Sequence, residues 1–201
     1  MEDTEQSKNN HTPRLQSILD VAAKIFAEKG YHRATLAEIA QDVGIKKGSL
    51  YYYISSKEEL LYEIVKFTLD LYRKNLKGLL TSDERPDIIL RKAIIGHLAP
   101  VDKEFNKIYV FLNEINNLSE KFHNKVNLES KEIAQLWINA LERGKEEGFF
   151  KPSLDTKITF LSIMNMCNWA LNWYKLKGKY TMVEIAEIFA DNLLDGVRKN
   201  N

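Results

Sequence analysis

Residues 46–53, KKGSLYYY, bring cationic, hydroxyl and phenol side chains together on one short segment. Lysine ammonium groups and the backbone N–H groups at a helix start bind phosphates, and a tyrosine offers both a hydroxyl and a flat ring. Leu50 is the only aliphatic residue in the segment, so a helix there would bury one side chain and expose the others. The segment predicts a helix that lies in a groove of DNA, with these candidate contacts: Lys46, Lys47, Gly48, Ser49, Tyr51, Tyr52 and Tyr53.

The residues before this segment have the pattern of a helix that ends in a tight turn. Thr35 and Glu38 have the spacing of a capping box, which satisfies backbone N–H groups at a helix start. Apolar residues then recur on one helical face from Leu36 to Val43, and Gly44 supplies the left-handed backbone that ends a helix. Two short helices joined at Gly44 would form a helix-turn-helix that presents residues 46–53.

Charge is distributed unevenly along the chain. The 201 residues carry a formal net charge of +1, which does not indicate a general polyanion binder. Between Arg14 and Lys57, however, seven basic residues stand against four acidic ones, as a local DNA-binding surface requires. The alternative is an ordinary helical hairpin with solvated lysines, but it does not explain three consecutive tyrosines on a short exposed helix.

The overall composition, with 44% hydrophobic and 28% charged residues, is that of a globular protein. Cys167 is the only cysteine, so no internal disulfide is possible and a reducing, cytoplasmic setting is expected. Residues 1–12 lack the apolar core of a signal peptide, and we expect them to form a disordered arm. The sequence has no nucleophile–base pair, metal-ligand cluster or cofactor fingerprint, which argues against an enzyme and predicts neither a metal nor a cofactor.

The remainder of the chain has helical periodicity to its end and no alternating strand pattern. After residue 56 we expect helices at Lys57–Leu80, Asp87–Leu98, Asp102–Asn116, Ser119–Gly148, Asp155–Lys177 and Met182–Lys199. The prediction is therefore an all-α protein of about nine helices. An N-terminal three-helix helix-turn-helix domain would span residues 13–56, and a C-terminal helical ligand-binding and dimerisation domain would span residues 57–201.

Two of the predicted helices carry more apolar surface than one chain of this length is expected to bury. Ile158–Tyr174 has no charged residue and is apolar on all sides, whereas Met182–Lys199 is amphipathic. The first is not a membrane span, because it is short and is interrupted by Asn165, Asn168 and Asn172. We expect both helices to meet a second copy of the chain in a twofold-symmetric four-helix bundle.

Aromatic and apolar residues of the C-terminal half are candidates for the wall of a ligand pocket: Phe105, Tyr109, Leu112, Trp137, Met164, Asn168, Trp169 and Trp173. For Trp169 and Trp173 the alternative is the core of the dimer, and for the earlier aromatic residues it is the core of the monomer. Buried asparagine amides need partners, either across the dimer or on a ligand.

Residues 15–64 resemble the DNA-binding domain of TetR-type transcriptional regulators. Three runs carry the resemblance: A-x-x-I-F-x-x-x-G-Y over Ala22–Tyr31, T-x-x-x-I-A-x-x-x-G-I over Thr35–Ile45, and G-S-L-Y-Y-Y-I from Gly48, followed by K-E-E-L from Lys57. It implies a homodimer that binds pseudo-palindromic operator DNA, usually a repressor that ligand releases. It further implies phosphate contacts from Thr35, Tyr51, Tyr53 and Lys57, and base-edge contacts from Lys46, Lys47, Ser49 and Tyr52.

The run MNMCNWALNWYKLKGKYTMVEIAEIFADNLLDGV is similar to the ligand domain of the fatty-acid- and steroid-degradation regulators of this family. The shared pattern is N-W-x-x-x-W-Y over Asn168–Tyr174, a glycine, and E-I-A-x-x-F over Glu184–Phe189. It implies a small apolar effector of the acyl-CoA class, whose phosphates would meet Arg73, Arg91, Lys92 or Arg143. The alternative is a hydrophobic drug or another apolar metabolite acting on a repressor of the same fold.

Overall fold

The computed structural model describes residues 13–198, which form nine α-helices and one 3₁₀ turn but no β-strand. The helices are Pro13–Lys29 (α1), Leu36–Val43 (α2), Lys47–Leu50 (α3), Lys57–Leu80 (α4), Pro86–Leu98 (α5), Val101–Glu114 (α6), Glu120–Glu146 (α7), Thr156–Trp173 (α8) and Met182–Val197 (α9). The all-α prediction is confirmed. The predicted disordered arm over residues 1–12 lies outside the described residues.

Helix starts agree with the predictions because capping side chains mark them. Thr35 and Glu38 form a complete capping box at α2, and Thr181 and Glu184 form another at α9. The Asp155 carboxylate starts α8 by accepting the Ile158 N–H at 2.9 Å. These side chains satisfy backbone N–H groups that the first helical turn leaves without partners.

Two predicted helices extend three or more residues beyond the C-terminal ends that the structure shows. The helix predicted over Lys46–Tyr53 is α3, which ends at Leu50. Residues 51–53 continue as a turn in which the N–H groups of Tyr52 and Tyr53 bond to carbonyls three residues back. This tightening is usual at a helix end, and it precedes the buried Ile54. The helix predicted to reach Lys177 ends at Trp173, because a tight turn closed by a 2.7 Å bond from Gly178 N–H to the Lys175 carbonyl follows it.

The described chain divides into two compact units, and the division differs from the predicted boundary at residue 56. The first unit contains residues 13–67 and 106–123, and the second contains residues 68–105 and 124–198. The first turns of α4 belong to the first unit because Leu60, Leu61 and Ile64 are fully buried there. A helix-turn-helix of three short helices has little core of its own, so it recruits further helices.

The core of the second unit is built around α5, which packs against both α8 and α9. In the same unit, Gly144 of α7 makes a close approach to the fully buried ring of Phe150. A β-carbon at Gly144 would lie 2.2 Å from two ring carbons of Phe150, which is far inside van der Waals contact. The sequence places glycine here because no larger residue leaves room for the ring.

Replacing Gly144 by alanine is expected to lower the free energy of unfolding by about 2 kcal/mol, because the buried ring must move. The matched control is Gly78→Ala in α4, where nothing lies within 4 Å of the added carbon. That change should raise the free energy of unfolding by about 0.5–1 kcal/mol through helix propensity. Urea unfolding followed by circular dichroism at one protein concentration measures both, and equal stabilities of the two variants would contradict the packing argument.

Candidate nucleic-acid interface and effector domain

The turn between α2 and α3 is held by Gly44. Its φ is 75°, in the left-handed region, and its N–H points to the carbonyls of Ala40 and Gln41. The N–H of Ile45 donates to the Ala40 carbonyl at 2.9 Å. Because this backbone is strained for any residue with a β-carbon, glycine fixes the direction in which α3 leaves α2.

The buried Leu50 anchors α3, and the polar side chains around it face solvent. Tyr52 is 90% exposed, Tyr51 and Tyr53 are close to half exposed, and both lysines of the segment are exposed. Within residues 13–198 none of these lysine and tyrosine side chains has a hydrogen-bond or ion-pair partner. Gly48 is exposed as well, and Ser49 is half-buried. The arrangement offers cations, hydroxyls and rings to an external partner.

Lys57 has a role that the sequence did not indicate. Its ammonium group donates to the backbone carbonyls of Tyr31 at 2.9 Å, His32 at 3.2 Å and Ala34 at 3.0 Å. It also lies 4.5 Å from the centroid of the Tyr31 ring. The three bonds use all of its donors, so Lys57 fastens the start of α4 to the loop between α1 and α2. Its phosphate contact stays a prediction.

The Thr35 side chain, like that of Lys57, is hydrogen-bonded within the fold. Its hydroxyl accepts the N–H of Glu38 at 3.2 Å and donates to the Glu38 carboxylate, which also receives the Lys29 ammonium at 2.9 Å. The hydrogen bond from Lys29 lowers the pKa of Glu38, and the bonds from Thr35 lower it further. The carboxylate beside Thr35 is therefore ionised and would repel a phosphate, although the predicted contact stays untested.

A buried lysine that was not among the predicted site residues joins α6 to α1 in the first unit. The Lys107 ammonium forms an ion pair with Asp20 and lies 4.3 Å from the centroid of the Phe67 ring. Its residue is only 3% exposed. The available signal was a lysine inside the apolar run of α6, because a buried lysine requires an anionic partner.

The predicted ligand-pocket residues are divided between the two units. Tyr109 and Leu112 belong to the first unit, whereas Phe105, Trp137, Met164, Asn168, Trp169 and Trp173 belong to the second. Trp137 is fully buried and Asn168 is half-buried, but Trp169 is 68% exposed and Trp173 is 49% exposed. In the single chain the two exposed tryptophans therefore do not form the wall of an enclosed cavity.

A buried polar cluster surrounds Trp137 and Asn168. His97 of α5 places Nε2 3.5 Å from Asn168 Oδ1, and its ring stacks on Tyr72 with centroids 4.4 Å apart. The rings of His97 and Trp137 meet edge to face at 6.3 Å. Burial lowers the pKa of His97 to about 4 and raises the pKa of Cys167 to about 12. At neutral pH the cluster is therefore uncharged.

One face of α8 and part of α9 leave large apolar side chains in solvent. We call this the α8–α9 apolar surface, and its residues are Ile158, Leu161, Trp169, Trp173, Val183 and Ile188. The Trp173 and Phe189 rings are 6.4 Å apart, so the two helices are neighbours at this end. Asn165 and Asn172 bond to carbonyls of their own helix. In the single chain α8 buries only its other face.

The four cations suggested for effector phosphates are all paired within the second unit. Arg73 bonds to Asp70 and Glu129, Arg91 to Asp191, and Lys92 to Glu84. Arg143 donates to the backbone carbonyls of Ser82 and Glu84. In the part of the chain that is described, we find neither a helix long and apolar enough to cross a bilayer nor a group of three metal-ligating side chains.

Comparison with known proteins matches both parts of the chain. A family model for tetracyclin repressor-like C-terminal domains covers residues 83–197, and one for bacterial regulatory proteins of the tetR family covers residues 18–64. The HTH-type transcriptional repressor KstR2 of Mycobacterium tuberculosis is 26% identical over 187 residues, which cover 92% of this chain and 94% of that protein. The fatty acid metabolism regulator protein of Bacillus subtilis is 23% identical over 190 residues, which cover 92% and 96%. A solved structure of the ketosteroid transcriptional regulator KstR2 of Mycobacterium tuberculosis superposes with a TM-score of 0.87 at 25% identity, covering 96% of this chain and 98% of that one.

Proposed function

Because the chain belongs to the TetR family of bacterial regulatory proteins, which are DNA-binding regulators and not enzymes, we propose that it is a repressor released from its operator by a small apolar effector. The observation that carries this proposal is the exposed polar surface of α3 and the turn after it. Leu50 is buried while the neighbouring lysines and tyrosines face solvent without internal partners among the described residues. A helix of this kind fits the major groove.

Contacts with DNA are proposed in two groups. Lys46, Lys47, Ser49 and Tyr52 would face base edges or thymine methyl groups. Tyr51, Tyr53 and the backbone at Gly48 would hold phosphates together with Thr35 and Lys57. For the last two, a DNA contact requires a change in the internal hydrogen bonds described above, so we expect them to contribute less than the residues of α3.

The regulator is proposed to act as a homodimer through α8 and α9. Support comes from the α8–α9 apolar surface, which is too large and too aromatic for ordinary exposure. A twofold axis would present two copies of α3 to one face of the DNA. The half-sites of a pseudo-palindromic operator would then lie about 34–36 Å apart, and the dimer would act in the cytoplasm.

The effector class we propose is the coenzyme A thioester of an apolar acid. Support comes from two relatives whose names refer to ketosteroids and to fatty acid metabolism, and from the buried, uncharged and aromatic surroundings of Trp137. One observation favours the alternative of a drug or other apolar metabolite without phosphates. Arg73, Arg91, Lys92 and Arg143 already have partners within the chain.

Release from DNA is proposed to act through α4. This helix carries residues of both units, since Lys57–Phe67 belongs to the first and Thr68–Leu80 to the second. Lys57 fastens its start to the loop before α2. An effector that binds one orientation of α4 more tightly would shift the population toward the dimer that does not fit the operator.

A gel shift with the DNA upstream of the protein's own gene, against random DNA of equal length, tests the proposal. Specific binding should weaken steeply with salt because phosphate contacts release counterions. Lys47→Ala should weaken operator binding about tenfold, while Lys74→Ala, the same change at an exposed lysine of α4 in the second unit, should have no effect. Equal binding of specific and random DNA, or unchanged affinity of Lys47→Ala, would refute the contact assignment.

A further inference from the structure

Two buried ring nitrogens in the second unit have no partner among the described residues. They are His97 Nδ1 and Trp137 Nε1. Both residues are more than nine-tenths buried, and their rings are neighbours, with centroids 6.3 Å apart. A buried polar atom without a hydrogen bond costs about 1–3 kcal/mol. Since nearly all such atoms in folded proteins are satisfied, the pair indicates a site for an external polar group.

The hydrogen-bonding roles of the two nitrogens follow from their surroundings. The His97 ring is neutral at pH 7, because burial keeps its pKa near 4. Its Nε2 faces the amide oxygen of Asn168 at 3.5 Å, so Nε2 carries the proton and Nδ1 is an acceptor. The indole Nε1 of Trp137 is always a donor. The pair therefore offers one donor and one acceptor.

The residues around the two nitrogens carry no charge, so they disfavour a charged group on a ligand. Tyr72 stacks on the His97 ring, and Cys167 is buried on α8. Burial raises the pKa of both Tyr72 and Cys167, so each is neutral at physiological pH. A carboxylate or phosphate here would lose its hydration without gaining a counter-charge. The group that fits is neutral, and it both accepts and donates a hydrogen bond.

We infer that His97 and Trp137 bind a hydroxyl group on the apolar part of the effector, with Asn168 positioning the imidazole. The inference rests on the proposed function and names the chemistry of the effector more closely. The hydroxyl oxygen accepts the Trp137 N–H, and its hydrogen is donated to His97 Nδ1. A ketone or thioester carbonyl accepts from Trp137 but leaves Nδ1 without a partner, so it binds more weakly.

Isothermal titration of the full-length protein with three matched thioesters tests this inference. The probes are octanoyl-CoA, 3-hydroxyoctanoyl-CoA and 8-hydroxyoctanoyl-CoA, which share one chain and differ only in the hydroxyl. At least one hydroxylated probe is expected to bind about tenfold more tightly than octanoyl-CoA, the effect of satisfying two buried groups. This comparison needs no variant, so it does not depend on how well a substituted core folds.

Variants then locate the preference. Trp137→Phe removes the donor and His97→Phe removes the acceptor, and each should abolish the advantage of the hydroxylated probe. The control His123→Phe changes a half-buried histidine of the first unit, and it should retain the advantage. Equal affinities for all three probes, a preference that survives both core substitutions, or binding of none of the probes would each overturn the inference.

The operator gel shift separates the two levels of failure. If the protein binds its operator and octanoyl-CoA releases it as well as the hydroxylated probes do, the proposed function stands and the hydroxyl inference falls. If the protein binds no operator DNA at any salt concentration, the proposed function fails, and the inference that depends on it fails too.

Discussion

Trp169→Glu is expected to dissociate the protein into monomers that bind the operator at least ~100-fold more weakly, since two linked recognition helices gain this much or more from acting together. Trp169 is the most exposed residue of the α8–α9 apolar surface, at 68%. A glutamate there would have to lose its hydration against the apolar residues of a second copy. Sedimentation velocity measures the oligomeric state, and the gel shift measures the operator affinity.

The matched control for this prediction is Leu128→Glu on α7. Leu128 is 63% exposed and also apolar, but it lies outside the α8–α9 apolar surface. The same introduction of a carboxylate should therefore leave both the dimer and the operator affinity unchanged. If Trp169→Glu remained a dimer with full affinity, the assignment of α8 and α9 to the interface would have to be abandoned.

The location of exposed apolar side chains supports two partner surfaces. Of the thirteen large apolar or aromatic residues exposed in the described chain, three are Tyr51, Tyr52 and Tyr53, and eight lie between Ile158 and Ile188. Only Ile88 and Leu128 fall elsewhere. Random exposure would scatter such residues over the surface, so this clustering favours one surface for DNA and one for a second copy.

The parts of the fold that depend on local chemistry could be predicted from the sequence. The capping box at Thr35 and the left-handed turn at Gly44 involve residues within a few positions of each other, and both occur in the structure as expected. The helical periodicity of apolar positions likewise predicted α4 over Lys57–Leu80, the bounds that the structure shows. Such signals do not require knowledge of distant contacts.

Features that depend on distant contacts were not predicted. The three hydrogen bonds from the Lys57 ammonium group to the loop at residues 31–34 form only because the start of α4 lies against that loop. The division of the chain into two units, with residues 106–123 in the first, depends on long-range pairs such as Lys107 with Asp20. A pattern of apolar residues gives the face of a helix, but it does not identify what that face meets.

The candidate site shows the same distinction. The exposure of the tyrosines after α3 follows from one buried leucine in a short segment, and both features can be read from residues 46–53 alone. The polar cluster could not be predicted from the sequence, because His97 and Trp137 are forty positions apart and neither has a distinctive neighbour. Only the packing of α4, α5, α7 and α8 brings its members together.

Acidification below pH 6.5 is expected to destabilise the second unit through His97, by about 3 kcal/mol between pH 6.5 and pH 4. Burial lowers the pKa of His97 to about 4 in the folded state, whereas an unfolded chain has the ordinary value of about 6.5. Between these values the unfolded chain binds a proton that the folded chain rejects. The stabilisation is therefore complete above pH 6.5 and is lost as the pH falls toward 4.

Urea unfolding of wild type and His97→Phe across this pH range measures the contribution, because phenylalanine does not titrate. Protonation of the carboxylates lowers the free energy of unfolding of both proteins equally. The difference between their free energies of unfolding at each pH therefore isolates the contribution of His97. Tyr72, which stacks on the ring, and Cys167, which interacts with Tyr72, stay neutral throughout, since burial raises the pKa of each. The difference in free energy of unfolding between wild type and His97→Phe should change by about 3 kcal/mol from pH 7 to pH 4. A constant difference would mean that His97 is hydrated and titrates as it does in the unfolded chain, and the uncharged cluster on which hydroxyl recognition rests would then be absent.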